Sequence, residues 1–85
     1  MSESQRSRSR DFGEVPAMLI PAETAAAMCG LSVRTWRRLD ETGKVPRSIV
    51  IGRIKRWNRD EITRWIESGC PSRRDWEARN QRESA

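Results

Sequence analysis

The chain has 85 residues, 34% of them charged, with 17 lysines and arginines against 12 acids, a net charge of +5 and no histidine. That length holds one small domain, no apolar run approaches the roughly twenty residues needed to cross a bilayer, and two cysteines without a histidine are too few for a structural zinc site. The charge is concentrated as well: from Arg34 to Arg59 nine basic side chains face only Asp40 and Glu41, a balance of +7 that leaves the rest slightly acidic, and such a field is a footprint for a polyanion.

Residues 1–16 begin with a stretch holding four serines and three arginines. They carry too few apolar side chains to pack and are expected to form a disordered basic tail. They also lack the hydrophobic stretch of a secretion signal, which points to a soluble, cytoplasmic protein. Residues 17–79 are expected to fold as a single domain, and residues 80–85 to fray. A domain of about sixty residues buries only a modest share of its surface. Trp36, Trp57, Trp65 and Trp76 are the side chains able to build its core, each burying on the order of 200 Å². Cys29 and Cys70 are expected as reduced, partly buried thiols, with a disulfide between them as the alternative.

In chain order, Ala22, Ala25, Ala26 and Cys29 recur at i, i+3, i+4 and i+7 and line one face of a helix. Pro21 opens it at the first helical position and Gly30 ends it. The short alanines allow a neighbouring helix to approach closely. Ser32 is a good N-cap for a second helix through Val33 to about Glu41, stopped by Gly43. A connection of only Gly30, Leu31 and Ser32 suits a helix-turn-helix.

After Pro46 the pattern turns β-like. Ser48 to Ile51 and Ile54 to Trp57 flank Gly52-Arg53 and read as a hairpin, with Ile49 and Ile51 expected to share the inward face. A bulge at Gly52 would shift the facing of the second strand, so its parity stays open. Asn58 and Glu61 form a capping-box-like pair before the apolar stripe Ile62, Trp65 and Ile66, and Gly69 closes that helix. Ser72 with Asp75 opens a short last helix. Pro71 can meet Trp76 across this cap, and Trp76 is expected to lie back on the domain. The fold class is therefore mostly α with a small β-hairpin, in the outline of a winged helix-turn-helix.

The second helix carries the most informative face. At about 100° per residue, Trp36 and Leu39 point one way and Arg34, Arg37 and Arg38 the other. A solvated helical face normally mixes signs, whereas this one shows three arginines and no acid before Asp40. Outward arginines suit a recognition helix, because the planar guanidinium donates two hydrogen bonds to guanine O6 and N7 or to a phosphate. Ser32 at the helix start is counted with the recognition helix, and Val33 and Thr35 flank this face as weaker candidates for contacts. Arg53, Lys55 and Arg56 crowd the hairpin, which is expected to lie along the phosphate backbone or enter the minor groove, although basic residues also protect an edge hairpin against aggregation. Lys44 and Arg47, in the link, are placed to clamp intervening phosphates.

From Ile20 to Ile66 the chain resembles the excisionase and AlpA-type small DNA-binding proteins, related to the MerR-like winged helix-turn-helix. The resemblance is carried by Ala25-Ala26, Gly30-Leu31-Ser32, Arg34-Thr35-Trp36-Arg37-Arg38-Leu39, Gly43-Lys44-Val45-Pro46, Ile51-Gly52-Arg53, Arg56-Trp57, Glu61-Ile62 and Trp65-Ile66. Gly69-Cys70-Pro71 and Trp76-Glu77 are similar to the tail of short bacterial members. It implies that Arg34, Arg37 and Arg38 enter the major groove and Arg53 to Arg56 form the wing contacts. It further implies a phage or mobile-element protein at the nucleoid, acting in prophage excision as a recombination directionality factor or in transcription regulation. Pro21 departs from a common threonine cap, and Val50 from a common basic residue.

The partner expected is double-stranded DNA, bound by several copies or a dimer, with an integrase or recombinase as a possible second partner. No cofactor, small-molecule substrate or membrane is expected. No enzyme is expected either: there is no histidine, no cysteine beside a general base and no phosphate-cradling glycine loop, and Asp60 and Glu61 fit as favourable charges in a helix's first turn. The rival reading is a protein-interaction adaptor docking a recombinase or polymerase through Trp76 and the arginine-rich tail. RNA binding is disfavoured by the lack of an aromatic stacking platform.

Overall fold

The computed structural model describes residues 17–84, so the expectation for the tail of residues 1–16 lies outside the described residues. Four helices and a three-stranded antiparallel sheet follow in the order β1 (Leu19–Ile20), α1 (Ala22–Met28), α2 (Val33–Glu41), β2 (Ile49–Ile51), β3 (Ile54–Asn58), α3 (Arg59–Glu67) and α4 (Arg73–Ser84). No helix among the described residues is long and apolar enough to cross a membrane.

The helix boundaries follow local chemistry. Ser32 Oγ accepts the Thr35 N–H at 3.1 Å, and Asn58 Oδ1 accepts the Glu61 N–H at 2.8 Å. Each side chain thereby satisfies one of the donors that a helix start leaves without a partner. Pro21 is the N-cap of α1 rather than its first residue. At the end of α2, Lys44 N–H bonds to Leu39 C=O and Gly43 N–H to Asp40 C=O, the paired closure of a Schellman motif. Gly43 has φ 73° there, which a residue without a Cβ adopts at no steric cost.

The sheet order is β1-β3-β2. The hairpin closes through the two residues Gly52-Arg53, with Ile51 opposite Ile54, Val50 opposite Lys55 and Ile49 opposite Arg56. Gly52 at φ 62° suits the first central position of a tight hairpin turn, and no bulge intervenes. Side chains alternate along a strand, so Lys55 and Trp57 share one face, while Ile54 and Arg56 share the other with Ile49 and Ile51. Trp57 faces the core. The expected inward placement of Ile49 and Ile51 is therefore wrong: the unbulged register turns both to the face opposite Trp57, and all of β2 is exposed.

Strand β1 was not expected. It pairs Leu19 with Asn58 and Ile20 with Trp57 and buries Ile20. The reciprocal half of the capping box also differs, because the Glu61 carboxylate accepts the Trp76 indole N–H at 2.9 Å instead of turning back to its own helix start. Fraying is expected from residue 80 on, and the described backbone there is helical as far as Ser84. Helix α4 continues to Ser84, since anchors at Arg73, Trp76 and Glu77 pay the cost of nucleation and good helix formers propagate it.

All four tryptophans are buried, as expected, around Ala25, Ala26, Val45 and Ile62. Trp36, with no exposed surface, stands edge-to-face against Trp57 at 5.5 Å and against Trp65 at 6.2 Å between ring centroids. Three indoles also tie chain segments by donating hydrogen bonds: Trp57 to Pro46 C=O, Trp65 to Pro71 C=O and Trp76 to Glu61. The Trp36 N–H has no acceptor among the described residues. Substitution Trp36→Ala should lower the unfolding free energy by about 3–5 kcal/mol, most of the stability of a small domain, whereas Ile51→Ser, at a side 53% exposed, should change it by under about 0.5 kcal/mol. Urea denaturation followed by circular dichroism compares them, and a comparable loss for Ile51→Ser would contradict the facing assigned to the hairpin.

Candidate nucleic-acid interface

The rotation of α2 about its axis is set by Trp36, whose burial points the opposite arc of the helix outward. Arg34, Arg37 and Arg38 are all exposed on that arc and line one surface hollow of about 420 Å³ together with Val33 and Glu41. Arg37 also borders a second hollow, about 420 Å³, between α2 and the hairpin, where it meets Arg53, Lys55 and Arg56. The fold therefore sets the α2 arginines and the hairpin cations around two adjoining hollows that share Arg37, and the second is also lined by Glu23, Asp40 and Glu41.

The charges on that surface are not equivalent. Arg34 and Arg38 make no ion pair among the described residues. Arg37 Nη2 lies 3.6 Å from Glu23 Oε2 of α1, with the two side chains 62% and 64% exposed; a contact so long and so wet contributes little. Lys55 is held by Asp40, Nζ to Oδ2 at 2.6 Å, and sits 5.7 Å from the Trp57 ring centroid. Arg56 donates to the Lys55 carbonyl at 2.9 Å. Arg53 is exposed at the hairpin turn.

Four other expected contact residues stand differently. Ser32 and Thr35 are hydrogen-bonded to each other through both hydroxyls and the Thr35 N–H, so their polar groups serve the cap first. Val33 is partly buried against the core. Arg47 is turned away from the basic surface toward α4, where its guanidinium grips Glu77 at 3.0 and 3.4 Å. Lys44 is exposed in the link.

Sequence reasoning missed the residues that organise this surface from behind. Asp40 accepts Lys55 on one oxygen and Arg73 on the other. Arg73 also donates to the carbonyls of Val45 and Asp40, pinning the link between α2 and β2 to the start of α4. The signal was present as an acid in the last turn of a helix, where the macrodipole disfavours it.

The two cysteines are free. Burial, with a smaller contribution from the charge of Cys70, pushes the Cys29 thiol up, which disfavours the nucleophilic thiolate. Cys70 is exposed rather than partly buried. Compared with protein-family models, with curated proteins and with solved structures, the chain matches none.

The Arg47 hydrogen bond holds the Glu77 carboxyl below the usual carboxylate range. A depressed folded value contributes stability above the unfolded carboxyl pKa and loses it as pH falls through the folded one. Glu77→Gln should therefore melt a few degrees lower at most near neutral pH, and its deficit against the parent should vanish on acidification through the carboxylate range. Thermal melts across pH check this, and a deficit that persists in strong acid would assign the loss to packing instead.

Proposed function

We propose that the chain binds double-stranded DNA as a small winged helix-turn-helix. In this reading α1 and α2 form the helix-turn-helix, α2 enters the major groove, and the β2–β3 hairpin is a wing against the adjacent backbone or minor groove. The observation that carries it is the placement of Arg34, Arg37 and Arg38 in one exposed hollow, on the side of α2 opposite a fully buried Trp36. A forked guanidinium in a groove can read guanine directly, and arginines at the rim can hold phosphates.

The resemblance to excisionase and AlpA-type proteins extends this to a role in site-specific excision or in transcription regulation, in the cytoplasm and without enzymatic activity. A single domain of this size reads few base pairs, so useful specificity calls for more than one copy on the duplex. The adaptor reading loses its indole, because Trp76 is only 4% exposed; its other element, the arginine-rich tail, lies outside the described residues.

Fluorescence anisotropy with duplexes selected from a random pool tests the proposal. Each of Arg34→Ala and Arg37→Ala should weaken binding by about tenfold or more without lowering the melting temperature. With about five phosphates neutralised, log K should fall against log salt with a slope near −4.5. Binding that survives both substitutions, or that ignores salt, would sink this reading.

A further inference from the structure

An acid in the final turn of α2 works against its own helix, because the carbonyl end carries partial negative charge. Local rules broken without local compensation point to a task elsewhere in the fold. Asp40 is mostly shielded, its side chain 11% exposed, and commits one carboxylate oxygen to each of two elements. Oδ1 holds Arg73 of α4 at 2.8 Å, and Oδ2 holds Lys55 of β3 at 2.6 Å.

The second tie stands out for what surrounds it. Every residue from Ile49 to Lys55 is exposed, so packing does not hold the outer half of the hairpin against the body. Its base is fixed by Trp57, which is buried against Trp36. Two residues further out, the Lys55–Asp40 pair is the one ion pair among the described residues that joins the hairpin to α2. Arg53 lies two residues beyond Lys55, at the turn. This link thus ties the strand that leads to the tip back to the last turn of α2.

We infer that Asp40 is a positioning residue that aims the hairpin tip relative to α2, with Lys55 serving as its tether and not as a contact to DNA. The inference rests on the DNA-binding reading for its consequence, but the aiming itself is a property of the free protein. A half-exposed pair biases an orientation by about fivefold at most, so the effect is a tuning of the wing, large enough to couple to its contacts.

The test uses the full chain and Lys55→Met, which keeps the apolar stem and leaves Asp40 bonded to Arg73; Asp40→Asn serves as a second variant. Without DNA, backbone 15N relaxation and residual dipolar couplings should show residues 50–54 reoriented or loosened in Lys55→Met, with α2 unchanged. An unchanged hairpin overturns the inference whatever the protein binds. With duplex DNA, the cost of Arg53→Ala should shrink from about tenfold in the parent to about twofold in Lys55→Met, while Arg34→Ala costs the same in both. If the costs of Arg53→Ala and Lys55→Met simply multiply, and Lys55→Met lowers the salt slope by about 0.9, Lys55 is a phosphate contact and the inference fails. Reorientation of the free hairpin without any duplex binding by the parent would instead retain the tether and sink the DNA reading, with the role in DNA positioning that depends on it.

Discussion

An indole fully withdrawn from water decides how this molecule presents itself. Trp36 stands edge-on to Trp57 of the hairpin and to Trp65 of α3, so one side chain fixes the rotation of α2, the base of the hairpin and the seat of the following helix. Once Trp36 is in place, helical periodicity leaves Arg34, Arg37 and Arg38 no direction but outward.

The same architecture divides the basic residues by task. Those on the outer arc of α2 and at the hairpin turn are exposed and carry, among the described residues, at most a loose carboxylate contact. Arg47, Lys55 and Arg73 are engaged by Glu77 and Asp40 and hold elements together. Helix α4 is central to this division, since Arg73 donates to the carbonyls of Asp40 in the last turn of α2 and of Val45 in the link, while Trp76 closes over α3 through Glu61. Net charge alone would count all these cations as equivalent, whereas Arg47, Lys55 and Arg73 are already paired with the protein's own carboxylates.

Much of the architecture was legible because its signals are local. Ser32 and Asn58 mark helix starts through their own side-chain oxygens, Gly30, Gly43 and Gly69 mark the ends, and a two-fold against a 3.6-fold repeat separates hairpin from helix. The outward arc of α2 followed from the same periodicity. What escaped depends on contacts between distant positions. Strand β1 is only Leu19 and Ile20, too short for an alternation to show, and exists because β3 offers it an edge. The facing of Ile49 and Ile51 hinged on a single-residue choice at the turn. Lys55 finds its acid 15 residues back, Arg47 30 residues on and Arg73 33 residues back, and no pattern within one element encodes such pairings.

The most direct measurement of the central claim is an NMR titration of the isotopically labelled chain with a selected duplex, following backbone amides and arginine Nε–Hε groups together. The account predicts the largest changes at Arg34, Thr35, Arg37, Arg38 and Arg53, with Arg47, Arg73 and Glu77 essentially still. Changes centred on α4, or none at saturating duplex, would contradict it.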